Sequence, residues 1–202
     1  MSIEAHQVAR EPKRERGRQR VAALLDAGAA LFAEKGYHAT TMTEIAQRSG
    51  AAIGSLYQFF PSKEALAEAL FSRYAERSAA SFADVEERAP GLSSAELADL
   101  LVDHKLALRS ERDAAIALSG AIAGIMERRK PLGDALRARI AKILRSANPS
   151  LSEDEATAAS LMIGQILKTV PALAAAEEDS RLSLVDEARR LLALYVDSIV
   201  SH

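Results

Sequence analysis

Thr40 to Lys63 reads TTMTEIAQRSGAAIGSLYQFFPSK. Thr41 and Glu44 stand three residues apart, the spacing of a capping box, in which hydroxyl and carboxylate each satisfy an orphan amide at a helix start. The helix opened there carries Ile45 and Ala46 inward, and Gly50 supplies a turn because it adopts a positive φ at little steric cost. A second short helix then carries Ile53, Leu56 and Phe60 inward. The small Ala46 lets the two helices approach, and the whole is a helix-turn-helix.

With the inward positions taken, Gly54, Ser55, Tyr57 and Gln58 face outward on the second helix. A helix so placed lies in the major groove of double-stranded DNA with its first residues at the base edges. The hydroxyls of Thr41, Thr43 and Tyr57 are suited to phosphate oxygens. Lys63 falls in the first turn of the next helix, where a cation gains nothing from the helix dipole, so a phosphate partner is expected for it. In a chain with only 4% aromatic residues, the aromatics here divide their work: Phe60 packs and Tyr57 reaches out.

Outward from this stretch, every periodic pattern is helical. Val21, Leu24, Leu25, Gly28, Leu31 and Phe32 share one face of a first helix that should stop near Gly36. Ser62 followed by Glu64 opens a long linking helix, and Ser93-x-x-Glu96 and Ser152-x-x-Glu155 repeat the capping box. Breaks are expected at Glu87–Leu92, Lys130-Pro131, Asn148-Pro149 and Glu177–Ser180. No segment alternates with β-branched enrichment, so the expected fold is all-α. Arg10 to Arg20 holds six basic and two acidic residues; residues 1–81 hold 11 Lys/Arg and 9 Asp/Glu (+2), the rest 15 and 19 (−4). Residues 1–19 therefore look like a flexible basic arm, with Arg18 and Arg20 as further candidates for minor-groove or phosphate contact.

The chain has 202 residues, 49% of them hydrophobic, no cysteine, and no charge-free run near the ~18 to 20 residues of a membrane span. No apolar segment marks an export signal, so no membrane partner and a cytoplasmic location are expected.

The first-helix run AALLDAGAALFAEKGY, TTMTEIAQRSG and GSLYQFFPSKEAL together resemble the DNA-binding domain of the TetR family of transcriptional repressors over residues 20–66. The resemblance implies a three-helix DNA-binding head, a long linking helix and a C-terminal all-α domain, residues 67–202, that dimerises and usually binds a small effector. By position it places Thr41, Thr43, Gly54, Ser55, Tyr57, Gln58 and Lys63 where members touch DNA. Phe59 stands where many members have His, which puts a phosphate contact there in doubt.

Ala114 to Met126 is charge-free on all sides, which points to a helix running through the centre of the second domain. Candidate lining for an effector pocket is Leu101, His104, Leu108, Ile122, Met126, Met162, Gln165, Ile166 and Thr169, mostly apolar with a few polar groups. Scarce aromatics and cations there favour an apolar or neutral effector. Each candidate also has a plain structural reading as core, gap-filler or surface. Ala158 and Ala159 on one late helix and Leu184, Ala188, Leu191, Leu192, Tyr195 and Ile199 on the last could pair with their symmetry mates in a four-helix bundle, or simply cover the chain's own core. The resemblance favours the homodimer. Pro171 should kink the first of these helices.

The expectation is a ligand-responsive repressor binding a palindromic operator as a homodimer. The alternatives are a DNA-binding dimer regulated through protein contacts and an enzyme with an accessory DNA-binding head. For the last, the sequence offers no glycine-rich phosphate loop, nucleophile elbow or metal-ligand spacing, and its histidines, His6, His38, His104 and His202, are scattered. No cofactor, catalytic residue or metal is expected.

Overall fold

The computed structural model describes residues 15–122, 124–176 and 183–201, and among them there are nine α-helices and no strand. Two compact units divide the chain: one holds the residues up to Glu76 together with Ser110–Arg129, the other Arg77–Arg109 with Lys130 onward.

The first unit is built on α1 (Glu15–Ala39), α2 (Met42–Arg48), α3 (Ile53–Phe59) and the beginning of α4 (Lys63–Arg88). α1 starts within the stretch read as an arm, at Glu15, whose carboxylate pairs with Arg18 at 2.5 Å one turn on. Its regular helix is interrupted at Gly36, where φ is 81°, a conformation that disfavours any residue with a Cβ. Leu24, Leu25, Leu31 and Phe32 are buried as the periodicity requires. At Gly28 a Cβ would lie 2.8 Å from Leu66 Cδ2, so the missing side chain is what lets α1 and α4 close up.

The all-apolar helix expected over Ala114–Met126 is two pieces, and it belongs to the first unit. α6 (Arg109–Ser119) ends, residues 120–122 turn, Gly124 takes φ 85°, and α7 (Ile125–Ala147) begins. Ala114, Ala115 and Leu118 are buried but Ile116 is exposed, so α6 is two-faced. Small residues supply little side-chain contrast, and periodicity across Gly120 and Gly124 cannot be read from them. The break expected at Lys130-Pro131 is absent: α7 runs through Pro131, which lies past the first turn and so leaves one helical amide missing.

The second unit holds α5 (Ser94–Ala107), α8 (Glu153–Ala176), α9 (Leu184–Val200) and most of α7. α5 packs on α8 and α9 around Phe82, Leu101, Ile140, Leu144, Ile163, Leu167, Leu192 and Val196. Both of its expected capping boxes form: Ser93 with Glu96 and Ser152 with Glu155. The Asn148 side chain accepts from the Ser150 amide at 3.0 Å and so turns the chain between α7 and α8. α8 contains Pro171 without a break and is long and apolar enough to cross a membrane by length and composition alone. Three acidic residues open it, and Ala159, Ile163, Leu167 and Val170 bury one side of it in the core. The break expected at Glu177–Ser180 lies outside the described residues.

Candidate nucleic-acid interface

The helix-turn-helix assembles from the cap inward. Thr41 receives the Glu44 amide on its hydroxyl at 3.3 Å, while the Glu44 carboxylate takes the Thr41 amide at 2.8 Å. Lys35 also reaches that carboxylate from α1, and its hydrogen bond, with those from Thr41, holds Glu44 down at a pKa of about 2. Arg48 closes a fork onto both carboxylate oxygens of Glu34, at 2.5 and 2.6 Å, pinning the other end of α2 to α1. Met42, Ile45 and Ala46 are buried beneath. The chain turns at Gly50, φ 66°, into α3, which Leu56 anchors.

On the outer side of α3, Gly54, Tyr57 and Gln58 are exposed and Ser55 is partly so. Tyr57 is 49% exposed. Thr43 is exposed on α2. Arg20 extends from α1 to donate to Ser55 Oγ at 3.4 Å, so this cation and the candidate helix are neighbours. Arg18 is exposed and engaged with Glu15. The basic residues from Arg10 to Arg14 lie outside the described residues.

Two expected phosphate donors have other partners. The ammonium of Lys63 donates to the carbonyls of Tyr37 and Thr40, both at 2.9 Å, with that of His38 at 3.5 Å, and lies 4.3 Å from the centre of the Tyr37 ring. The dipole argument for Lys63 fixed on its own helix; the relevant negative end is that of α1, whose last carbonyls it collects. Beside it the Tyr37 hydroxyl donates to Glu64 at 2.7 Å, and burial together with that carboxylate raises the tyrosine's pKa. The Thr41 hydroxyl likewise donates, at 2.8 Å, to Glu44.

Ile53 was expected inward and is 42% exposed. The expectation extrapolated helical phase back from Phe60, but Phe60 is the cap residue, with extended backbone at φ −125° and ψ 94°, and its buried ring says nothing of the face of α3. Leu56 alone marks the inner side. Ile53 is the surface residue that sequence reasoning missed: three residues before Leu56 it lies at the edge of the inner face by phase, and only the absence of a covering neighbour leaves it exposed.

In the second unit the effector candidates do not converge. Leu101, His104 and Leu108 are buried, and His104 Nδ1 lies 2.8 Å from Ser81 Oγ with its ring edge-on to Phe82. Burial first, then the charges of Lys105 and Arg139, lowers the His104 pKa to about 4. Ile166 is half-buried against the core, whereas Met162, Gln165 and Thr169 are exposed. The Thr169 hydroxyl turns back to the Ile166 carbonyl, 2.7 Å away. α8 buries the face bearing Ile163, Leu167 and Val170, and these three sit on the opposite one. Ile122 is in the turn before α7, in the first unit; the side chain of Met126 lies outside the described residues. A cavity of about 220 Å³ elsewhere in the second unit is lined by Leu92, Leu97, Ile143, Val196 and Val200, with Glu86 and Lys142.

The residues expected at a dimer surface separate in the same way. Ala159, Ala188 and Leu192 are in the unit's own core, with Tyr195 and Ile199 packed against it and Leu184 half-buried. Ala158 and Leu191 are exposed, as are Leu161, Met162 and Leu194, the last at 66%.

Residues 24–70 match the model described as bacterial regulatory proteins, tetR family. The HTH-type transcriptional repressor KstR2 of Rhodococcus jostii (strain RHA1) is 51% identical over 45 residues, 22% of each chain. KstR2 of Mycobacterium tuberculosis (strain ATCC 25618 / H37Rv) is 40% identical over 62 residues, 31% of each chain. The chain thus aligns with less than a third of the length of these relatives. A TetR-like transcriptional regulator from Rhodococcus sp. RHA1 superposes with a TM-score of 0.68 over 96% of this chain and 100% of that one, at 22% identity, a likeness of fold. A helix-turn-helix that matches the tetR family model over residues 24–70 thus stands in a chain whose described residues are all-helical and share the fold of a TetR-like regulator.

Proposed function

We propose that the chain is a homodimeric repressor that binds a palindromic DNA operator and is released from it by a small apolar or neutral effector. The observation that carries this is the outer face of α3: Gly54, Ser55, Tyr57 and Gln58 stand outward over the buried Leu56, offering a hydroxyl, a phenol and an amide where a recognition helix meets base edges and phosphates. That KstR2 of both organisms is a repressor supports the direction of regulation. Lys63 and Thr41 serve this interface by fixing α1, α2 and α4 to one another, while Thr43, Tyr57, Gln58 and Arg20 make the contacts.

The dimer is supported by a stripe on the outer side of α8, where Ala158, Leu161, Met162, Gln165 and Thr169 recur at i, i+3, i+4, i+7 and i+11, beside exposed Leu191 and Leu194 on α9. A second copy laid on it by a two-fold axis gives a four-helix bundle and sets two α3 helices in successive major grooves, roughly 34 Å apart. The cavity of about 220 Å³, mostly aliphatic in its wall, suits a small apolar effector. An effector that binds better to the conformation unfit for DNA lowers operator affinity by linkage. α4 is one of three helices, with α6 and α7, along which the chain passes from one unit to the other. Action on DNA places the protein in the cytoplasm. The scatter of the effector candidates supports a second reading, a DNA-binding dimer controlled through protein contacts.

The test is selection of random genomic fragments on the purified protein, sequenced at two salt concentrations, because phosphate contacts alone weaken steeply with salt. Enrichment of a palindrome that survives the higher salt supports the function; a salt-sensitive background with no common sequence overturns it. Release of that operator by small apolar compounds then separates the effector-controlled form from the second reading.

A further inference from the structure

We propose, on the basis of the DNA-reading function above, that Ile53 determines operator specificity by packing on the 5-methyl group of a thymine in the major groove. Ile53 is a large aliphatic side chain left 42% exposed on a unit whose other large aliphatics on α2 and α3, Ile45 and Leu56, are fully buried. Tyr57 follows it by four residues and is 49% exposed, so the two share one outward strip of α3. Ala52 and Gly54, on either side of Ile53, bring no polar side-chain atom, and a Cβ built at Gly54 would meet nothing within 4 Å. The side chains of this part of the face offer nothing to the donors and acceptors of a base edge. In the major groove the one apolar mark on a base pair is the thymine methyl, which aliphatic side chains contact. The polar groups around the strip, Ser55, Gln58 and Arg20, point the same way: they suit bases and phosphates, and they are poor surroundings for an apolar protein partner. Ile53 is β-branched and stiff at χ1, so little rotamer freedom is lost when the contact forms.

The test uses the full-length protein and the operator recovered by selection. Each thymine of a half-site is replaced in turn by deoxyuridine, which removes the methyl and leaves base pairing intact. One such replacement should weaken binding about fourfold per half-site, the worth of one buried methyl-sized group. Ile53→Ala should bind the thymine and uridine duplexes equally, with an unchanged melting temperature because the residue is exposed, and Ile53→Val should keep the discrimination. If every uridine replacement is without effect, or if Ile53→Ala keeps the full preference for thymine, the proposal is overturned while the DNA-reading function stands. If selection recovers no common sequence, the function itself fails and this inference with it.

Discussion

Lys63 has three N–H donors, and the carbonyls of Tyr37 and His38 in α1 and of Thr40 just past its end lie within reach. Lys63→Met keeps the length of the side chain and removes the donors, leaving part-buried carbonyls unsatisfied. It should lower stability by about 1–3 kcal/mol, read as a lower urea midpoint. Tyr57→Phe should do the reverse: unchanged midpoint and weaker operator binding, since the exposed phenol holds nothing in the fold. A Lys63→Met protein with unchanged stability but weakened, less salt-dependent binding would restore the phosphate role. His104 gives a second prediction from a single side chain. Its folded pKa, about 4, lies below its ordinary 6.5, so the unfolded chain takes up the proton first. The stability that neutral, buried His104 contributes is complete above pH 6.5 and is lost as pH falls toward 4. Melting temperature should decline across that window, and His104→Gln, which cannot titrate, should flatten the decline.

At the scale of elements, the capping boxes are the clearest meeting of sequence and structure. A hydroxyl and a glutamate three apart have few other ways to satisfy a helix start, so Thr41, Ser93 and Ser152 could be located by spacing alone. Thr41→Ala should cost about 1 kcal/mol, measured by denaturant titration. Because Lys35 and Thr41 hold Glu44 near pKa 2, its share of stability is present above its ordinary 4.5 and is lost as acid takes pH down toward 2; Glu44→Gln should remove that acid-sensitive part. The identity of the helix-turn-helix was legible for the same local reasons. What escaped depended on what covers a face. Periodicity says that α8 and α9 each have apolar positions on more than one side, but Met162 and Leu191 differ from Ile163 and Leu192 only in whether a neighbour is there. The run from Ala114 to Met126 escaped because alanine and glycine do not mark a face, and a turn such as that at residues 120–122 costs them little.

For the whole molecule, the exposed stripe of α8 and α9 bears on assembly. Met162 is 53% and Leu191 56% exposed, so replacing each with Glu should leave the chain folded. In a dimer the double variant Met162→Glu, Leu191→Glu buries four carboxylates against one another. It should sediment as a monomer and bind a half-site and a full palindrome with nearly equal affinity. A dimer that survives both substitutions would place the interface elsewhere. The way the chain divides also has a consequence for how this protein could be recombined. Residues 110–129 belong to the unit that contains the helix-turn-helix, although a stretch of the other unit comes between in sequence. A single cut after Glu76 therefore does not release a complete module: a 1–76 fragment forfeits α6 and should melt lower and less cooperatively than the intact chain. Exchange of operator specificity between relatives by one crossover in α4 would join a head to another protein's α6. The grafts that keep their stability should be those that carry both segments, so the transferable head here is two pieces of sequence rather than one.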